Sequence, residues 1–303
     1  MTKEKKRKTD QPLTGKLEYR LTNDFMFKAV LQENETALRG LLCALLGMEE
    51  ERIKTVRVMN PIEIGKKVED KLMMLDLKLE MNDDCIMDIE MQILDKGNWP
   101  VRSLAYLSRS FDQLEKGDSY EKVKETIHIG ILDFTPEGFP DRLYLDYYFY
   151  NLDTAHKYSD KMSIRVLELN QLDRVADDQK KSNLYYWASF FKAKTWEEMW
   201  MLAEKDETIR ECVFTYKELT ADEKARMQSE AREDYYRRLN WAEKRGLNRG
   251  MEEGLVRGQK ETARTLVSSV DHAMESFQVG LERACEGLGT TVEAYKAAQA
   301  LME

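Results

Sequence analysis

Histidine and cysteine are scarce. The 303-residue chain holds three histidines, His128, His156 and His272, and four cysteines, Cys43, Cys85, Cys212 and Cys285. The cysteines are scattered, with no Cys-x-x-Cys pair and no Cys/His cluster. That pattern points to neither a zinc site nor a disulfide framework, and free buried thiols are expected. Three histidines are too few for a histidine metal cage. His128 lies in the apolar run Ile127–Leu132, the setting of a core or strand histidine more than of a catalyst. Long apolar runs are absent too: none approaches the ~20 residues that a membrane-crossing helix needs. The basic start, MTKEKKRKTD, lacks the apolar segment of a secretion signal. A soluble cytoplasmic protein without a membrane partner is the expectation. Positive charge is not in excess either. A net charge of −9 argues against a surface that coats nucleic acid broadly, yet leaves room for a local basic strip on phosphate.

What is present suffices for a sizeable core. With 42% hydrophobic residues, one large domain with an appendage, or two domains, is the natural division. The most informative stretch is Met74 to Ile93, which alternates apolar and polar residues on both sides of Asn82-Asp83-Asp84. That is the period of two strands and a turn. Leu75, Leu77, Leu79 and Met81 share one face, and Asp76, Lys78 and Glu80 the other. In the second strand Cys85, Met87, Ile89 and Met91 oppose Asp88, Glu90 and Gln92. A three-residue loop makes the two polar faces coincide. It pairs Leu79 with Met87 and Leu77 with Ile89, and sets Lys78 opposite Asp88 and Asp76 opposite Glu90. A five-residue loop would instead pair Asp76 with Gln92. Directly opposed side chains have Cβ atoms roughly 5 Å apart. Two carboxylates at that distance repel unless a proton or a cation lies between them, and Mg²⁺ takes oxygen ligands of this kind. A plain hairpin with one solvated face fits the same pattern.

Around the hairpin the signals are more ordinary. Residues 1–18 read as a disordered charged tail. Thr22 or Asn23 can cap a helix beginning at Asp24, and a second helix runs from Glu35 to Leu46, stopped by Gly47. Ile53 to Ile64 has strand pattern bent at Pro61. Trp99 to Lys116 is a helix, with Pro100 in its first turn and Gly117 after its end. Val101, Leu104, Leu107, Phe111 and Leu114 form its core stripe, while Arg102, Tyr106, Arg109 and Gln113 share the other side. Arg102 and Tyr106 either reach over the hairpin's polar face or stay solvated. Strand-like runs follow at Thr126–Phe134, Leu143–Asn151 and Ser163–Leu169. From Lys181 on the pattern is helical, with an aromatic cluster from Tyr185 to Trp200 assigned to the core. Succession of this kind defines an α/β protein, a mixed sheet flanked by helices. In the proline-free segment Ala221–Val267, Gly246, Gly250, Gly254 and Gly258 recur every four residues. They form either a ridge for close helix association or a frayed connector.

Several of these residues together resemble a known family. NDFMFK (Asn23 to Lys28), LDL (Leu75 to Leu77), IEMQ (Ile89 to Gln92), R-x-x-x-Y (Arg102 to Tyr106), QLEKGDSY (Gln113 to Tyr120) and IHIGILDF (Ile127 to Phe134) follow one another as in the Rpn family of recombination-promoting nucleases, within the PD-(D/E)XK nuclease superfamily. The resemblance spans roughly residues 20 to 270 and includes the glycine-every-four tail. It implies a restriction-endonuclease-like core over residues 19–220, with a helical extension over 221–303. It also implies a Mg²⁺-dependent (or Mn²⁺-dependent) DNA endonuclease, linked to recombination or mobile elements. Asp76 and Glu90 would match the metal-binding acids, and Gln92 stands where the superfamily usually has lysine. Arg102 and Tyr106 would contact substrate, and Asp24 is a further candidate acid; Lys78, on the same face of the hairpin, either adds a positive charge for the substrate or simply pairs with Asp88. DNA is the implied partner, and the glycine ridge would join a homodimer. Gln92 cannot act as a base or neutralise charge. The alternative is therefore a weak or inactive nuclease fold serving as a DNA- or protein-binding module.

Overall fold

Asn23 opens the first helix by accepting a hydrogen bond from the Met26 N–H at 3.2 Å. Helix α1 (Asp24–Glu33) gives way at Asn34, which caps α2 (Glu35–Leu46) in the same manner through Ala37 at 2.9 Å. Gly47, at φ 62°, ends α2 in the left-handed region, where a side chain would be strained. The computed structural model describes residues 13–60 and 77–302. In order there follow β1 (Val56–Val58), β2 (Leu77–Met81), β3 (Cys85–Gln92), α3 (Trp99–Phe111), β4 (Glu125–Leu132), β5 (Tyr144–Tyr147) and β6 (Met162–Glu168). Then come α4 (Asn183–Lys192), α5 (Trp196–Ala203), α6 (Glu207–Ala221), α7 (Glu223–Phe277), α8 (Leu281–Gly287) and α9 (Val292–Ala300). The chain divides into two compact units, Met1–Glu233 and Asp234–Glu303.

The first unit is built on one mixed sheet of order β1-β2-β3-β4-β6-β5. Strands β3, β4 and β6 run parallel, and the remaining pairs are antiparallel. The hairpin takes the three-residue loop: Leu77 pairs with Ile89, Lys78 with Asp88 and Leu79 with Met87. Asn82 and Asp83 hold the turn at φ 55° and 59°, a conformation that Asn and Asp tolerate better than most residues. The apolar face, with Leu77, Leu79, Met87, Ile89, Ile127 and Ile129, joins one core with Phe25, Phe27, Trp187, Phe190 and Phe191 of the helices. The aromatic cluster is thus core, as its composition indicates.

Three boundaries differ from the sequence reading. Chain order begins before residue 19: Leu17 donates to the Lys194 carbonyl at 2.9 Å, and the Gly15 N–H meets the Glu197 carboxylate. The residues of the tail before 13, the strand pattern beyond Asn60 and Asp76 itself lie outside the described residues. Helix α3 stops at Phe111, because Gln113 turns back to bond the Ser110 carbonyl and Thr126 Oγ at 3.1 and 3.0 Å. The first unit also extends past 220. Asn23 donates to the Ser229 carbonyl at 3.2 Å, and Arg232 grips Asp24.

In the second unit α7 closes a small core against α8 and α9 through Val267, Val270, Cys285, Tyr295 and Ala298. The four-residue glycine repeat remains helical within α7, although each glycine weakens a helix by about 1 kcal/mol relative to alanine. Among the described residues no helix is long and apolar enough to cross a membrane.

Candidate active site

Strand alternation turns Asp88, Glu90 and Gln92 away from the helical core, onto the second face of the sheet. That face is not solvated. Asp88 is only 3% exposed and Glu90 6%, because α3 lies across β3, β4 and β6. Two features bring the helix so near. Gly130 of β4, paired with Glu90 in the parallel register, leaves the space that the Trp99 indole fills. Ser103 and Ser110, both buried, are small enough for a helix backbone to approach a sheet.

The inner side of α3 is therefore not its aliphatic stripe. Val101 is 73% exposed and Leu104 47%, while Trp99, Ser103, Leu107 and Ser110 are buried. The preference has a physical ground. Burying two aliphatic side chains gains about 1.5–3 kcal/mol each. A carboxylate sealed under the helix without a cation would cost several kcal/mol. Rotating Arg102 inward settles the second demand, and Leu107 still packs.

Arg102 meets Glu90 as a fork. Its Nε lies 2.9 and 3.2 Å from the two carboxylate oxygens, and Nη2 bonds Oε1. Nη2 also donates to the Tyr106 hydroxyl at 3.1 Å, and the guanidinium lies 4.9 Å from that ring's centre. Sequence spacing had left Arg102 and Tyr106 either over the hairpin or in solvent; they lie over it.

Beside Glu90 is a pair that sequence reasoning did not assemble. His128 stands opposite Asp88 in the register, fully buried, with Nδ1 3.7 Å from Asp88 Oδ2. Its ring stacks on Trp99 at 5.5 Å and lies 5.7 Å from Tyr106. Among the described residues, Asp88 Oδ1 and both His128 nitrogens have no hydrogen-bond partner. His128 is a buried strand histidine, as its apolar run suggests; its proximity to Asp88 depends on a β3–β4 pairing that no local pattern reveals. The isolated glycine in Ile127–Leu132 was the available signal, since a strand glycine marks close approach.

The other expected residues are more dispersed. Gln92, at the end of β3, is half-buried, with Nε2 3.4 Å from the Leu94 carbonyl. Lys78 faces Asp88 in register. Glu80, on the same face, is held by Lys124 and Arg57, and these cations keep its carboxyl below the usual range. Asp24 receives Arg232 through Nε and Nη2 at 2.5 to 2.9 Å. Among the described residues no cluster of three His, Cys, Asp or Glu side chains is arranged to hold a metal ion. All four cysteines are free, three of them buried, and burial pushes the Cys85 thiol up to about 12.

A mixed sheet with helices on both faces, and acids at the end of a central hairpin strand, is the build of a restriction-endonuclease-like nuclease. A family model described as PD-(D/E)XK nuclease family transposase matches residues 21–243, and the chain belongs to that family. No curated protein and no solved structure matches it.

Proposed function

We propose that the chain is a Mg²⁺-dependent DNA endonuclease of the cytoplasm, acting in recombination or mobile-element movement, with Mn²⁺ able to replace Mg²⁺. The observation that carries this reading is Glu90, buried on the central hairpin strand and met by the Arg102–Tyr106 pair, within a chain of this nuclease family. The donor chemistry suits a hard cation. Glu90 supplies a carboxylate, Asp88 Oδ1 is a buried oxygen without a partner among the described residues, and Asp76 precedes the paired residue Leu77 in sequence. Asp76 and Glu90 would hold the ion, with Asp88 beside them. A bound Mg²⁺ would polarise the scissile phosphate and lower the pKa of an attacking water.

The chain's own residues have separate tasks. Arg102 holds Glu90 in place, and its planar fork suits a phosphate oxygen. The Tyr106 hydroxyl adds a donor. Gln92 orients the water through its amide without taking its proton. Lys78 brings positive charge to the phosphate side. Self-association through α7 would place two sites on one particle and allow both strands to be cut.

Supercoiled plasmid incubated with Mg²⁺ or Mn²⁺ tests the reading. Metal assistance worth several kcal/mol makes Asp76→Ala and Glu90→Ala slower by about 10²-fold or more. Equal cutting by wild type and the double variant, or none with either metal, refutes it. A second reading, a nuclease-fold module that binds DNA without turnover, draws on one observation: Arg102 already neutralises Glu90. Calorimetric titration with Mg²⁺ separates the two, because only the endonuclease needs heat of binding that Glu90→Ala abolishes.

A further inference from the structure

Glu80 has more positive charge around it than its burial requires. It is 7% exposed, on the same sheet face as Glu90. One carboxylate oxygen receives Lys124 and the other Arg57. A single cation is enough to offset a buried carboxylate, and Lys124 fits that task. It is the larger influence on the Glu80 carboxyl, its side chain is 31% exposed, and its backbone N–H is fixed on Gln113 Oε1 at 3.0 Å. Arg57 is different. Its side chain is 71% exposed, and an ion pair so open to water adds little to stability. Two cations against one carboxylate leave one positive charge in surplus, in a chain whose net charge is −9.

The surplus lies along the sheet from the candidate active site. Arg57 opposes Glu80 in the β1–β2 register, and Lys78 follows two residues along β2 on the same face. Asp88, opposite Lys78, balances that row, so the excess belongs to Arg57 and Lys124. Ile86 stands opposite Glu80, and Glu90 is four residues further along β3, a step of roughly 13 Å. Helix α3 covers β3, β4 and β6, which leaves β1 and β2 as the open side of this face. Among the described residues Arg57 donates through Nη2 alone, so most of a five-donor group is left for another acceptor.

We propose that Arg57 and Lys124, held together by Glu80, form a subsite for a DNA backbone phosphate roughly 13 Å from the scissile one. Glu80 acts as a clamp. Its two oxygens fix the spacing of the cations before DNA arrives, so less side-chain freedom is lost on binding. The guanidinium meets phosphate oxygens through paired donors, and the ammonium adds a point charge. This subsite rests on the reading that the chain acts on DNA, and adds where the strand is gripped away from the reacting centre.

The salt dependence of binding tests it without metal, so that turnover plays no part. A fluorescein-labelled DNA duplex is titrated with the full chain in EDTA at several salt concentrations and read by anisotropy. Each phosphate neutralised contributes about 0.9 to the slope of log K against log salt. Arg57→Gln and Lys124→Gln should each flatten the wild-type slope by about 0.9. Lys180→Gln, which removes an exposed cation beside α4 on the helical side of the sheet, should leave the slope at the wild-type value. If Lys124→Gln fails to fold, Arg57→Gln, at an exposed position on an edge strand, decides. Wild-type slopes in the subsite variants overturn the proposal, as does equal flattening by Lys180→Gln or a wild-type chain that binds no duplex. The plasmid assay reports separately. Cutting with unchanged slopes keeps the endonuclease and removes the subsite, whereas flattened slopes without cutting keep the subsite and remove the endonuclease.

Discussion

Replacing Gly130 with alanine should loosen α3 from the sheet. The new methyl would fall inside the Trp99 indole, against Cζ2 and Cη2, with Cε2 at 3.1 Å. Trp99 is 2% exposed, and a rigid bicyclic ring cannot fold out of the way as a flexible side-chain end can. To regain ordinary contact the ring must withdraw by more than 1 Å, and interiors this dense pass such a shift to their neighbours. Trp99 sits in the first turn of α3, three residues before Arg102, so the fork on Glu90 moves with it. Overpacking of this kind costs about 1–3 kcal/mol. For a body of this size that lowers the melting midpoint by roughly 2–12 °C. An ångström of misplacement at a reacting centre can cost about 10²-fold in rate, so plasmid cutting should fall much further than stability. Differential scanning fluorimetry reads the first effect. The matching relief variant, Trp99→Leu combined with Gly130→Ala, should be more stable than the sum of the two single changes predicts, by about 0.5–3 kcal/mol. A wild-type midpoint for Gly130→Ala, with strict additivity in the double variant, refutes the idea that this contact seats α3.

Glu168 is fully buried, and burial pushes its carboxyl up against the opposing hydrogen bonds of Thr135 and Gln171. A raised pKa in the fold means that its contribution is intact below the unfolded value of about 4.3 and is lost as pH rises through the folded value. Glu168→Gln should therefore stabilise the fold at pH 7 and have a smaller effect near pH 4, by urea unfolding at both. Glu80 has the opposite sign: Lys124 and Arg57 hold its carboxyl low, so the stability it brings is present above about pH 4.3 and disappears as pH falls through the folded value. Lys124→Met should flatten that acid limb, and an unchanged limb would count against the pairing. Asp24→Asn removes one partner of a mostly buried pair and should cost about 3 kcal/mol. A chain ending at Glu233 should melt well above one ending at Thr220, which lacks Arg232; equal midpoints would show that α7's first turns are dispensable.

Local patterns were enough for the hairpin. Its period-two alternation is readable from Leu77 to Ile89, and the pairing of Leu79 with Met87 decides for the three-residue turn over the five-residue one. The Gly47 stop of α2 was equally legible, and Asn23 was one of the two candidate caps of α1, whereas the Asn34 cap was not singled out. The burial of Asp88 and Glu90 was not legible. A polar face looks the same in sequence whether water or a helix covers it, and α3 covers this one with the side that carries Arg102 rather than its aliphatic stripe. The Asp88–His128 pair needs a parallel β3–β4 register between segments far apart in sequence. The end of the first unit was hidden for a similar reason: α7 has no break near 233, and bonds such as those of Arg226, Ser229 and Arg232 to the N-terminal residues mark it.

Those bonds give the first unit an unusual dependence on the end of its own synthesis. Asn23 waits for Ser229 and Asp24 for Arg232, separations of 206 and 208 residues, while Tyr19 waits for Tyr216. At ribosomal speeds of ~5–20 residues per second, the first helix exists for roughly 10 to 40 seconds before its partners emerge. During that interval the acid at its start has no Arg232, although every strand of the sheet is synthesised before residue 169. The body matched to the nuclease family is thus completed by the same helix that goes on to carry the glycine ridge. Translation that stops short of residue 232 leaves a chain with its acidic strand made and its fold unclosed.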